Sequence, residues 1–128
     1  MLIIGGKVNN LRSNARLGRG DFLVAEADES DGSFLKLAPT VGVITNIDRE
    51  HMESYSGFAD LKHAFVEFAN KVPFYGAVVV CTSNTTVRRV LHRFTMPCIT
   101  YAGKGADYTA GDIRQDGERL TFTVFHRG

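Results

Sequence analysis

The sequence predicts an α/β domain: a mostly parallel sheet with flanking helices and a C-terminal antiparallel hairpin. Three observations predict it. Short apolar runs at residues 22–25, 41–45, 77–81 and 98–101 alternate with polar or helix-patterned stretches, the signature of βαβ units. Residues 58–70 carry apolar side chains at three- and four-residue intervals, which places them on one face of an amphipathic helix. From residue 108 the texture changes to alternation around Asp116 and Gly117, a hairpin signal.

The elements follow in order. Residues 2–4 (LII) read as a strand entered almost at the first residue. Residues 5–20 (GGKVNNLRSNARLGRG) mix glycine, asparagine, serine and basic side chains without hydrophobic periodicity, and a long loop is expected there. Residues 22–25 (FLVA) read as a buried strand. It runs into EADESDGS, residues 26–33, with four carboxylates and two hydroxyls in eight residues. Pro39 breaks the chain ahead of the strand at 41–45, and Asn46, Asp48, Arg49, Glu50 and His51 then surround Ile47. In the helix, Phe58, Leu61, Phe65, Phe68 and Ala69 form the core face, and Asp60, Lys62, His63 and Glu67 the charged face; Pro73 closes it. After the strand at 77–81, Asn84 suits the N-cap of a short helix through Val87, Val90 and Leu91, ending near Phe94. A fourth strand at 98–101 precedes the hairpin arms at 108–114 and 119–125.

The chain has 128 residues, one domain's length, with 44% hydrophobic and 23% charged residues, enough to bury a core. Fifteen lysines and arginines against fourteen acidic residues leave a charge of +1, so no global field recruits nucleic acid or an anionic membrane. No apolar run approaches the roughly 18 residues of a membrane span, and the N-terminus lacks the pattern of a signal peptide. The expected compartment is the cytoplasm, with no membrane insertion. Cys81 and Cys98 lie in strand-like runs without CxxC spacing, which predicts buried, reduced thiols.

Ligands of open α/β sheets bind beyond the carboxyl ends of the strands, and two such ends carry candidate chemistry. Glu26 follows one and His51 the next. A carboxylate and an acidic loop with a histidine could share a hydrated magnesium ion, although imidazole is an unusual magnesium ligand. The same residues could equally form a solvated capping turn. The acidic loop lacks the closing glutamate of an EF-hand. Neither Gly5-Gly6-Lys7 nor Gly103-Lys104-Gly105 has the spacing of a phosphate loop. Arg12, Arg16 and Arg19 could bind a phosphate or diphosphate through forked hydrogen bonds, or form a solvated basic loop. His63 and His92 fall within helical patterns and read as surface residues.

Taken together, the residues resemble a known family. LVAEADESDGSFL (residues 23–35), then TNIDREHM (residues 45–52) with Tyr55, then VPFYG (residues 72–76) resemble the Mur ligases, specifically the branch that joins L-alanine to UDP-N-acetylmuramate. Gly5, Gly6 and residues 14–18 (NARLG) resemble the segment just upstream, so the likeness covers about the first 76 residues in order. The resemblance implies an ATP-dependent amide-forming ligase of peptidoglycan synthesis: the lactyl carboxylate is phosphorylated and the amine of L-alanine attacks the acyl phosphate. Glu26 matches the family's magnesium-binding glutamate and His51 its metal-site histidine, which makes Mg2+ the expected cofactor and ATP the co-substrate. Asp28, Ser30, Asn46 and Asp48 occupy surrounding motif positions, and Gly5, Gly6 and Arg16 match a segment that faces the UDP-sugar.

The departures also carry information. Family members place a UDP-binding N-terminal domain and a GxxGKT phosphate loop with its helix ahead of the position matched by Leu2. Later they carry a PGxHN segment and a C-terminal amino-acid-binding domain. The 128 residues contain none of these motifs. Some sister ligases use a carbamylated lysine at the position held here by Val66, so none is assigned. Residues 1–128 are therefore expected to be an incomplete central domain without ligase activity by itself. The alternatives are a non-catalytic UDP-sugar-binding module and a muropeptide-recycling ligase that takes a peptide instead of alanine.

Overall fold

The computed structural model describes residues 2–8 and 13–128, and of residues 2–8, 13 and 14 the backbone alone. Arg12, a candidate phosphate ligand, lies outside the described residues. The segment expected to loop forms strands instead: β1 (Leu2–Val8) and β2 (Ser13–Arg16) pair antiparallel, and β1 pairs parallel with the two-residue β3 (Val24–Ala25). Backbone hydrogen bonds make a ladder whether or not side chains alternate, so a glycine- and asparagine-rich strand leaves no periodic trace. The register between β1 and β2 shifts between Ile3 and Val8, spanning Gly5 and Gly6, where bulges are readily accommodated.

The expectation of a buried strand at 22–25 is also corrected. Phe22 and Leu23 are 77% and 61% exposed, and Val24 is exposed with them. An apolar run reads as buried, but burial needs an opposing layer, which local sequence does not specify.

The second sheet carries the core. Strands β4 (Val41–Ile44), β5 (Ala77–Cys81), β6 (Cys98–Tyr101), β7 (Tyr108–Asp116) and β8 (Arg119–His126) lie in that order, parallel as far as β7 and antiparallel between β7 and β8. Gly117, at φ 58°, turns the hairpin in the left-handed region that glycine adopts without a steric penalty. Helices α1 (Phe58–Asn70) and α2 (Thr85–Val90) contribute Leu61, Phe68, Ala69, Val87 and Val90 to a cluster with Ile44, Val78 and Val80. Gly42 lets α1 approach closely: a Cβ there would stand 3.3 Å from the side chains of Phe68 and Val72. Burial therefore alternates along β4, and Val41 and Val43 face away from the helices and are exposed.

α2 begins as expected, with Asn84 Oδ1 accepting the Val87 N–H at 2.9 Å. At the other end of the sheet, the Asp107 carboxylate accepts the Thr100 N–H and hydroxyl, both at 2.8 Å, and ties β6 to the entry of β7. Cys81 and Cys98 are free thiols, half-buried rather than buried. Among the described residues no helix is long and apolar enough to cross a membrane.

Candidate functional site

The carboxyl ends of β3, β4 and β5 lead into three loops, and local chemistry gives each its shape. In the first, Asp28 Oδ1 accepts the Ser30 N–H at 2.7 Å and Asp31 Oδ1 the Ser33 N–H at 2.8 Å, two successive Asx turns. Gly32, at φ 69°, returns its N–H to the Glu29 carbonyl at 3.1 Å, so the acidic run is curled rather than extended. Phe34, in the 3₁₀ turn Ser33–Lys36, is buried with its ring centroid 5.3 and 5.4 Å from those of Phe65 and Phe68. That contact moors the acidic turn to α1.

In the second loop Ile47 is only 1% exposed, and it pins a segment whose flanking Asn46 and Asp48 stay at the surface. Arg49 lies over the Phe58 ring, 4.8 Å from its centroid. His51 has φ 52° and ψ 40°, a left-handed conformation uncommon for a side-chain-bearing residue, and heads the 3₁₀ turn Met52–Ser54. Tyr55 follows, and its hydroxyl donates to the Glu29 carbonyl at 2.6 Å. The third loop joins through Asn84, whose Nδ2 donates to Asp48 Oδ1 at 3.3 Å while its Oδ1 caps α2.

These contacts bring Asp28, Glu29 and His51 together: each offers a ligand atom, and the three lie within 4.8 Å of one another. The group does not include Glu26, which is exposed two residues before Asp28. Ser30 belongs to the turn as the donor that holds Asp28. Asn46 and Asp48 sit on the neighbouring loop, Gly5 and Gly6 in β1, and Arg16 is exposed at the end of β2.

The Ser30 backbone N–H, with help from its hydroxyl and from nearby His51, holds the Asp28 carboxyl below the ordinary aspartate range. The Ser33 hydroxyl, and then its backbone N–H, lower the Asp31 carboxyl. Burial pushes the Tyr55 phenol up, and the charges of Glu29, Asp31 and Asp28 add to the shift. Two anionic carboxylates and an imidazole form a donor set that fits a divalent cation: the oxygens suit magnesium, while the imidazole also suits softer metals.

The sequence alone does not single out Glu29 as a partner of His51, Tyr55 as a link between loops, or Asn84 as a partner of Asp48. The D-x-S spacing repeated at Asp28 and Asp31 was the available signal that the acidic run curls.

Residues 7–128 match the family model described as the Mur ligase middle domain. A UDP-N-acetylmuramate–L-alanine ligase of a Geobacter species is 51% identical over 99% of this chain, and that of Syntrophus aciditrophicus is 49% identical over 98%. The chain spans only 28% and 26% of the length of these relatives. Among solved structures, UDP-N-acetylmuramate:L-alanyl-gamma-D-glutamyl-meso-diaminopimelate ligase from Neisseria meningitides aligns over 98% of this chain and 43% of its own, with TM-score 0.80 and 22% identity. MurF ligase from Thermotoga maritima in complex with ADP covers 80% of this chain and 25% of its own, with TM-score 0.63 and 17% identity. The sequence likeness and the shared sheet agree, and the chain belongs to the Mur ligase family, matching its middle domain.

Proposed function

We propose that the chain is a central-domain part of a longer ATP-dependent ligase that joins L-alanine to UDP-N-acetylmuramate in peptidoglycan synthesis. The observation that carries this reading is the 51% identity, along nearly the whole chain, to a relative named for that reaction. In the proposed reaction the lactyl carboxylate of UDP-N-acetylmuramate takes the γ-phosphoryl group of ATP, and ADP leaves. The amine of L-alanine then attacks the acyl phosphate, forming the amide and releasing inorganic phosphate.

An anionic carboxylate must meet an anionic phosphate, so the site has to gather positive charge without neutralising its own ligands. Glu26 and His51 would hold Mg2+, and Asp28 and Glu29, whose ligand atoms lie near that of His51, would complete its donors. When bound, the ion would offset the phosphate charge and align the groups for transfer. Asp28 stays ionised because Ser30 donates to it. Asn46 and Asp48 present a polar edge beside this group, and Asn84 restrains Asp48. Gly5, Gly6 and Arg16 are assigned to the UDP-sugar, for which a guanidinium fork suits the diphosphate. In this reading the compartment is the cytoplasm, which supplies ATP and the nucleotide sugar.

The test is a chimera in which residues 1–128 replace the matching segment of the Geobacter relative. ADP release should require both UDP-N-acetylmuramate and L-alanine, and the 128-residue chain alone should release none. A folded chimera that turns over only with the peptide L-alanyl-γ-D-glutamyl-meso-diaminopimelate, or not at all, would overturn the reading.

A further inference from the structure

We propose that Tyr55 is a positioning residue whose hydroxyl latches the acidic turn onto the His51 loop and so sets Asp28 and Glu29 against His51. This deepens the metal-site reading above and rests on it.

The two halves of the group come from separate loops, and each loop is anchored to the core at a distance from its ligands: the acidic turn by Phe34, the His51 loop by Ile47. Neither anchor dictates where the carboxylates stand relative to the imidazole. The Tyr55 hydroxyl does, because it reaches 26 positions back along the sequence to the carbonyl of Glu29, itself one of the three residues. At 2.6 Å the bond is at the short end of the range for O–H···O contacts.

That carbonyl already accepts the Gly32 N–H that closes the turn, so the hydroxyl occupies its second lone pair and grips the turn at its hinge. On the other side, Tyr55 ends the 3₁₀ turn headed by His51, with its N–H donated to the Met52 carbonyl at 3.1 Å. The ring packs against the core cluster, which fixes the direction of the O–H. A phenol is protonated at neutral pH and so is available as a donor.

Tyr55→Phe removes one oxygen and keeps the ring, so the fold is retained and only the latch is lost. Two measurements on the 128-residue chain test this, amide hydrogen exchange by NMR and titration with Mn2+ followed by paramagnetic broadening of the Asp28, Glu29 and His51 signals. One lost neutral hydrogen bond shifts the latch equilibrium about five- to tenfold, and the two readouts share that factor as a product. In the variant the Ser30 and Gly32 amides should exchange about two- to threefold faster while Val78 and Val80 remain protected, and half-broadening should need about two- to threefold more Mn2+, because only the latched fraction binds. Unchanged exchange at Ser30 and Gly32 would overturn the latch. Faster exchange with an unaltered Mn2+ response would reduce Tyr55 to a structural role and overturn the positioning claim. If the parent chain shows no Mn2+ broadening, the metal reading fails by itself, and the exchange data alone decide whether the latch exists.

Discussion

Replacing Ile47 by alanine should destabilise the chain by about 3 kcal/mol. Ile47 is 1% exposed and belongs to the core cluster, although it sits in the loop between β4 and the Met52–Ser54 turn rather than in a regular element. The substitution deletes three carbons, and at about 0.8 kcal/mol per buried carbon the transfer loss is roughly 2.4 kcal/mol. The residual cavity adds to this, within the usual range of about 2–5 kcal/mol for isoleucine to alanine in a core. Asn46 and Asp48 flank the side chain, so the same cavity should loosen the loop that carries His51. Urea unfolding followed by far-UV circular dichroism measures the effect. With a slope near 2 kcal/mol per molar for a chain of this size, the midpoint should fall by roughly 1.5 M. Ile47→Val should lose only about 1 kcal/mol. Val43→Ala, on the exposed side of the neighbouring strand, should lose less than that. If Ile47→Ala stays within 0.5 kcal/mol (about 0.25 M) of the parent chain, the loop is not pinned by burial and the reasoning fails.

Gly103→Ala should destabilise by about 2 kcal/mol, since the new Cβ would overlap the Thr82 hydroxyl and stand 2.8 Å from the Thr82 Cβ; a melting temperature within a degree of the parent would count against it. Cys81 should react with a thiol reagent faster than Cys98. Although burial raises the Cys81 thiol, hydrogen bonds from Ser83 outweigh it and leave it below the ordinary value, whereas burial raises Cys98 unopposed. Cys81→Ser should therefore abolish the fast phase, and loss of the slow phase instead would refute the assignment. Asp107 is held below its ordinary value of 3.8 by the Thr100 N–H and hydroxyl, so its contribution to stability is complete above that value and is lost as pH falls through the lower folded-state value. Asp107→Asn should thus show a smaller drop in urea midpoint than the parent between pH 7 and about pH 3; equal drops would remove Asp107 from the account.

Much of the architecture was legible because it is written in local periodicity. The spacing of Phe58, Leu61, Phe65, Phe68 and Ala69 locates α1, and Asp116-Gly117 marks the hairpin that Gly117 turns at positive φ. Asn84 reads as a cap from sequence and is one. The strand pair at the N-terminal end was not legible, because β1 and β2 are held by backbone ladders that glycines and asparagines do not advertise.

The candidate site divides along the same line. The acidic run and His51 stand out as residue types at strand ends, and that much the sequence determined by itself, since strand ends and turn chemistry are properties of neighbours in the chain. Which carboxylates meet the imidazole was decided only in three dimensions. The resemblance points to Glu26, and the turn made by Asp28, Ser30 and Gly32 brings Asp28 and Glu29 to His51 as well, with the Tyr55 hydroxyl bonded to Glu29 from 26 residues away. The exposure of Phe22 and Val43 was decided there too, because an apolar side chain specifies that it can be buried and only the packing of the layers specifies whether it is.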